Sequence, residues 1–249
     1  MRVANKGGLG HLKRLPAPWF WPIHRKERKW APKPSPGAHG TSHCLPLELV
    51  LREGLRKAKT RREVAVILSG GKIKVDGRAR QDKNFPVGIM DVVELVDANA
   101  SYRVLPVVGQ GLSPIPVPKD EAKFKLCKIL RKSTTAKGLV QFGMHDGRNV
   151  TLPPAEAEAS GYSNNDTLKL GLPAQRVLGH MKFEKGNFAL VTAGRNLGRT
   201  GKIVELQNGT ATRPATVTIE DSAGSKFDTM VEYTFVVGTD KPSIKLEAA

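Results

Sequence analysis

Leu45 to Leu95 reads LPLELVLREGLRKAKTRREVAVILSGGKIKVDGRARQDKNFPVGIMDVVEL, and this stretch decides the fold. Leu47, Val50, Leu51, Leu55 and Ala58 recur at helical spacing, which predicts a first helix with one apolar face. Pro46 suits its first turn, where the missing N–H costs nothing. Arg52, Arg56 and Lys59 fall on another side of that helix, and Lys57 is a further candidate for RNA contact. Thr60 and Glu63 have the spacing of a capping box, so a second helix begins there and carries Val64, Ile67 and Leu68. The free N–H groups and partial positive charge of that helix start lie beside Arg61 and Arg62, which suits a phosphate. Gly70-Gly71 stops the helix. Lys72 to Val75 then reads as a strand with Ile73 and Val75 on one face and Lys72 and Lys74 on the other. Asp76-Gly77 is a favoured two-residue hairpin turn, and Arg78 and Arg80 follow on the returning arm. A basic helix face and a basic hairpin, joined by a capped helix start, can follow a folded phosphate backbone.

The whole chain points the same way. It has 249 residues, a formal charge of +17 and a pI near 10.1, which calls for a polyanionic partner. The excess lies entirely in residues 1–139, with 28 basic against 11 acidic residues; residues 140–249 carry 12 of each. Two cysteines, Cys44 and Cys127, offer no disulfide framework, so a reducing cytosol is expected. The chain has no apolar run long enough for a spanning helix, and its basic start lacks the hydrophobic segment of a secretory signal.

Residues 1–43 hold six prolines from Pro16 to Pro36 and nine basic residues against the single acid Glu27, so they cannot fold alone. They also hold Trp19, Trp21 and Trp30. Basic residues interleaved with aromatics (Lys13, Arg14, Arg25 and Lys26 around Trp19 and Trp21) suit a segment that orders against RNA. The same tryptophans could instead pin the segment to its own globular part, and the two readings are compatible. His39, His43 and Cys44 lie close together but lack the second ligand pair of a structural zinc, so no metal is expected.

Tyr102 to Pro118 reads as an irregular connection. Lys119 to Lys132 alternates from Lys123 onward, which predicts a strand with Phe124, Leu126 and Ile129 facing in and Lys123, Lys125 and Lys128 facing out. A hairpin is expected around His145-Asp-Gly147, and a turn at Ser163 to Asp166 before a strand from Thr167 to Leu172. In Phe183 to Leu206, a strand Phe188 to Thr192 and a return Arg199 to Leu206 flank the loop Ala193 to Gly198. That loop presents Arg195, Asn196 and Arg199. It is not a phosphate-binding P-loop, because Asn196 stands where the first glycine belongs and Ile203 where Ser or Thr would hold magnesium. Two further strands are expected at Ala215 to Glu220 and Thr229 to Val237.

These residues carry a resemblance. Thr60-Arg-Arg-Glu-Val64 and Gly71-Lys-Ile-Lys-Val-Asp-Gly77 resemble the S-four-type RNA-binding domain, or alpha-L motif, whose usual signatures are Ser-Arg at the second helix and a Gly-x-Val-x-Val-Asn-Gly hairpin. Phe183 to Leu206, with its internal Gly201, resembles the KOW motif of small SH3-like barrels. Together with His11-Leu-Lys-Arg-Leu-Pro-Ala-Pro18, Cys44-Leu-Pro-Leu47, Pro86-Val-Gly-Ile-Met-Asp-Val92, Glu121-Ala-Lys-Phe-Lys-Leu-Cys-Lys128 and Gly194-Arg-Asn-Leu-Gly-Arg199, they identify the chain as similar to the archaeal-eukaryotic small-subunit ribosomal protein four family, of S-four-e type.

The resemblance implies an α+β, mostly β fold in four parts: a basic extended segment (1–43), an alpha-L-type domain (44–106), a β-rich centre (107–174) and a KOW/SH3-like barrel with C-terminal strands (175–249). It implies a structural constituent of the cytoplasmic small ribosomal subunit. Small-subunit ribosomal RNA and neighbouring small-subunit proteins would be its partners, with no cofactor, membrane or small-molecule substrate. The alternative is a free RNA-binding or RNA-modifying factor with the same domain. A pseudouridine synthase would need a catalytic Asp in a Gly-Arg-Leu-Asp setting; His145-Asp-Gly-Arg148 has those letters in the wrong order.

Overall fold

Residues 10–24, 26–136, 138–210 and 213–246 are described by the structure, a computed structural model. Strands β1 (Leu12–Lys13) and β2 (Trp30–Ala31) pair antiparallel and close the N-terminal segment into a loop. Strand β3 (Cys44–Pro46) leads into α1 (Leu47–Leu49), which runs on as a π-helical turn, Val50–Gly54. The predicted first helix is therefore shorter than its apolar spacing suggested. Leu55 N–H bonds Val50 O, Lys57 N–H bonds Leu51 O, and Arg56 takes a φ of 51°, so the chain has left the helix before Arg56. Arg52 and Arg56 consequently do not share a side: Arg52 is buried and Arg56 exposed. Leu47, Val50, Leu51 and Ala58 are buried as the pattern required.

The capping box forms. In α2 (Arg61–Ser69), Glu63 N–H donates to Thr60 Oγ1 at 3.2 Å, and Glu63 Oε2 accepts from Lys59 N–H at 2.8 Å. Val64 and Leu68 are fully buried and Ile67 partly so. The hairpin of β4 (Ile73–Val75) and β5 (Arg78–Ala79) turns at Asp76 (φ 51°) and Gly77 (φ 77°), the left-handed pair of a type I′ turn. Strands β6 (Pro86–Gly88), β7 (Val92–Leu95), β8 (Ala100–Val107) and β9 (Gly111–Val117) follow. β3 pairs with β6, and the others form a sheet ordered β5-β4-β7-β8-β9. Tyr102 to Pro118 is thus a long hairpin and not an irregular connection. The first sheet extends past residue 106 to Val117.

A short helix α3 (Lys119–Ala122) precedes β10 (Phe124–Thr134), the hub of the second sheet. With β11 (Val140–Met144), β12 (Asn149–Leu152), β13 (Thr167–Gly171) and β14 (Arg176–Met181), and helix α4 (Pro154–Ser160) between β12 and β13, it gives the order β12-β11-β10-β13-β14. This sheet runs past residue 174 to Met181. β10 pairs with β13 through Phe124 to Lys128 and with β11 from Ile129 onward, with a register shift between Ile129 and Arg131.

The third sheet is β18-β17-β16-β15-β19, built from β15 (Phe188–Val191), β16 (Thr200–Gln207), β17 (Thr216–Glu220), β18 (Lys226–Met230) and β19 (Thr234–Gly238). The single strand expected at Thr229 to Val237 is two, because the 3-10 turn Val231–Tyr233 divides it and sends its halves to opposite edges. One apolar core joins Trp21 and Ile23 of the N-terminal segment to Leu51, Leu68 and Leu105, and on to Leu190 and Phe235 of the last sheet. Each fully buried large apolar side chain in it contributes roughly 1.5–3 kcal/mol.

Candidate nucleic-acid interface

The basic residues at the start of α2 reach solvent as a cluster. Arg56, Lys57, Lys59, Arg61 and Arg62 are all exposed and follow one another along the turn into the capped helix. Arg61 also leans on Glu48, with Nε 3.5 Å from Oε2. Glu48 is itself buried and holds Arg52 at 3.0 Å, while Glu53 takes the Arg52 Nε at 2.7 Å. Arg52, expected on the RNA-facing side, is therefore an internal ion-pair partner and not a surface contact. The hairpin adds exposed Lys72 and Arg78 and half-buried Lys74 and Arg80. Lys72 pairs with Asp97 at 2.6 Å, and the Arg80 guanidinium lies 4.4 Å from the Phe85 ring centroid.

In the N-terminal segment the expected residues divide. Lys13, Trp19 and Lys26 are exposed, and Trp19 is 70% open to solvent. Trp21 is buried and donates its indole N–H to Cys44 O at 2.8 Å, so it pins the segment and offers no face to a base. Arg14 is likewise occupied, donating twice to Ile23 O at 2.8 and 2.6 Å. Arg25 lies outside the described residues. The hairpin β1–β2 faces the start of α2 across a groove of about 440 Å³, lined by residues including His11, Trp30, Arg61 and Asn84. Trp30, read with the other tryptophans of this segment, is exposed and lines the groove, while the groove-lining Asn84 escaped sequence reasoning. No pattern marks Asn84.

The loop before β16 presents Arg195 to solvent. Its other two expected residues are tied internally: Asn196 Nδ2 donates to Asp228 O at 3.2 Å, and Arg199 reaches Asp221 at 3.3 Å while lying 3.9 Å from the Phe227 ring centroid. This loop packs on the first sheet. A Cβ at Gly198 would stand 2.6 Å from Val108 N, so only glycine permits that approach.

The largest departure from expectation is ionic and internal. Lys125 and Lys128, predicted to face out, are buried because the first half of β10 is covered on both faces. Lys125 Nζ lies 2.9 Å from both Asp76 and Asp146 and also bonds Asp91. Arg148 closes the group, 2.6 Å from Asp76 and 3.1 Å from Asp146, and His39 Nε2 lies 3.1 Å from Asp91.

Burial alone would raise the Asp91 and Asp146 carboxyls. Lys125 overcomes it, with His39 beside Asp91, so Asp91 sits well below the carboxylate range and Asp146 falls to about 2. Asp76 is the surplus acid among three carboxylates and two permanent cations: burial and the neighbouring Asp91 push its carboxyl up. Burial opposes the Lys125 charge, but its carboxylates raise its pKa well above the usual value. Lys128 donates to the carbonyls of Val231, Glu232 and Thr234 at 3.0, 2.9 and 2.8 Å, and burial lowers it to about 8. Burial, with Lys125 nearby, brings His145 down to about 4.

Among the described residues Cys127, His145 and Asp146 bring donor atoms within 4.8 Å of one another. They do not suit a cation: Lys125 and Arg148 already neutralise Asp146, and burial drives the Cys127 thiol well up. His39, one of the residues weighed for zinc, is committed to Asp91, and burial pushes the Cys44 thiol up to about 12.

Comparison with known proteins agrees with this architecture. Residues 6–42 match the RS4NT domain, residues 50–93 the S4 domain and residues 98–177 the ribosomal family S4e. Small ribosomal subunit protein eS4 of Staphylothermus marinus is 44% identical over 247 residues, 98% of each chain. The protein of that name from Methanocaldococcus jannaschii is 42% identical, over 98% of this chain and all of its own. The crystal structure of 30S ribosomal protein S4e from Thermoplasma acidophilum superposes with a TM-score of 0.68 at 29% identity, covering 81% of this chain and 98% of that one. Identity above 40% along almost the full length, with the expected order of domains, makes this chain a member of the small ribosomal subunit protein eS4 family.

Proposed function

We propose that this chain is a structural constituent of the cytoplasmic small ribosomal subunit, binding ribosomal RNA through phosphate and shape contacts and meeting neighbouring small-subunit proteins. One observation carries the RNA surface: the exposed run Arg56, Lys57, Lys59, Arg61 and Arg62 on the approach to the capped start of α2. Helix N-termini and arginine side chains both favour phosphate oxygens, and neither reads sequence. Lys13, Trp19, Lys26, Lys72, Lys74, Arg78, Arg80 and Arg195 extend that surface. Trp21, Arg52, Arg14, Asn196 and Arg199 support it from within. Four functional parts follow this division: a basic N-terminal arm, the S4-type element, the central sheet and a KOW-type last sheet.

Co-sedimentation with small subunits in high salt tests the assignment. A subunit constituent stays with the particle, whereas release to the free fraction would favour a separate RNA-binding factor. Filter binding to small-subunit ribosomal RNA, with Arg61→Gln and Arg62→Gln together, tests the surface. Unchanged affinity and salt dependence would place the RNA elsewhere.

A further inference from the structure

We infer that the groove between the β1–β2 hairpin and the start of α2 receives one unpaired RNA nucleotide, its base stacked on Trp30 and its phosphate on Arg61; this rests on the RNA-binding reading above. Trp30 is 50% exposed, in contrast with the buried Trp21 that anchors the same segment. Its ring is flanked by the His11 ring at 5.4 Å and by the Lys29 ammonium 5.4 Å from its centroid, and it stands opposite Lys13 in the strand pair. Arg61, 62% exposed at its side chain, lines the other wall of the groove.

The lining also holds an unanswered polar group. Asn84 Oδ1 is shielded from solvent and has no hydrogen-bond partner among the described residues. Base edges carry amino and imino N–H groups that suit such an acceptor once the Asn84 side chain turns toward the groove. A half-exposed aromatic ring, adjacent cations and an amide are among the means by which proteins hold splayed-out bases. A base inside a duplex has both faces stacked, so the occupant is a bulged, looped or single-stranded nucleotide.

The test titrates the full chain into a short single-stranded RNA bearing a central 2-aminopurine, and into a matched RNA abasic at that position. Binding should quench the 2-aminopurine, and the abasic RNA should bind more weakly. Trp30→Ala should abolish the quench and weaken binding by about 5- to 150-fold, the range that stacking one base spans, without altering the salt slope. Trp30→Phe should keep most of both. Arg61→Gln should lower the salt slope by about 0.7 on single-stranded RNA, and Asn84→Ala should narrow the gap between intact and abasic RNA. Quenching and affinity that survive Trp30→Ala, or that vanish instead with Trp19→Ala, overturn the groove while leaving RNA binding intact. Absence of any salt-dependent binding by the unaltered chain overturns the RNA reading itself. Should Trp30→Ala fail to fold, the abasic comparison on the unaltered chain decides, and equal affinity for both RNAs overturns the groove.

Discussion

Asp76 and Asp91 show how two carboxylates in one buried group take opposite roles. Asp91 accepts from Gly88 N–H at 2.9 Å, from His39 and from Lys125, and its folded pKa is depressed. A depressed carboxylate contributes stability that is present above its unfolded pKa, about 3.9, and lost as pH falls through the folded value. Asp91→Asn should therefore cost about 3–5 kcal/mol at neutral pH, the range for removing one partner of a buried pair. That cost should fade below about pH 4. Asp76 is raised, so its contribution is present at low pH and lost as pH rises through its folded value. Asp76→Asn should be the milder change, and its cost should shrink as pH rises from acid to neutral. Urea unfolding of both variants across that range checks the two slopes; parallel slopes would contradict the assignment of Asp76 as the surplus acid.

At the scale of the element, α2 separates charge from packing. Arg61 and Arg62 are exposed while Val64 and Leu68 are sealed in the core. Replacing both arginines by Gln should cost little at Arg62, within about 0.5 kcal/mol as for surface changes away from special features, and more at Arg61, whose cation faces the buried Glu48 Oε2. It should lower the salt slope of RNA binding by about 0.7–0.9 for each phosphate that an arginine no longer neutralises. Gln is the appropriate replacement, since a Glu at 61 would face the buried Glu48. Leu68→Ala should do the reverse, costing about 2–5 kcal/mol with the salt slope unchanged in the folded fraction. Ile67, only partly buried, should cost less. Thr60→Ala removes the cap oxygen and should lower stability by about 0.5–2 kcal/mol, read as a drop in melting temperature without a change in salt slope.

For the molecule as a whole, the neutral C-terminal part is seated on the basic front by buried polar contacts as well as by apolar ones. Lys128 of β10 gathers three carbonyls around the turn before β19, and Gly198 brings the loop before β16 against Val107 and Val108. A cut at residue 139 would divide β10 from β11 and strand this lysine, so the front half is not a free-standing unit. Lys128→Ala should remove the shared donor of the Val231, Glu232 and Thr234 carbonyls, costing about 1–3 kcal/mol, and should loosen the last sheet. Limited proteolysis between Lys182 and Asn187, the connection joining β14 to β15, should then accelerate. An unchanged cleavage rate would mean that the apolar core alone holds the sheet. The lysine, lowered to about 8, is bound less tightly to its proton in the folded state than in the unfolded one. Stability should accordingly rise with pH between about 8 and 10.4 on this account.

Local chemistry made much of this chain legible. The capping box at Thr60 and Glu63, the Asp76-Gly77 turn and the apolar spacing of Val64 and Leu68 act over a few residues, and each formed where its pattern lay. The charge asymmetry and the order of motifs likewise depend on sequence alone, and they were enough to point to RNA and to the family. What sequence could not decide is which surfaces other parts of the chain would cover. Alternation along β10 predicts outward lysines only if one face meets water. Three sheets converge there, and Lys125 instead balances acids drawn from Asp76, Asp91 and Asp146. Trp21 was withdrawn from the surface for the same reason, by Cys44, 23 positions away, whereas Arg52 is held by Glu48 one helical turn before it. Trp30 and Arg61, 31 positions apart, became neighbours across one groove. Burial and pairing between residues distant in sequence are properties of the packed chain, and only the tertiary structure sets them.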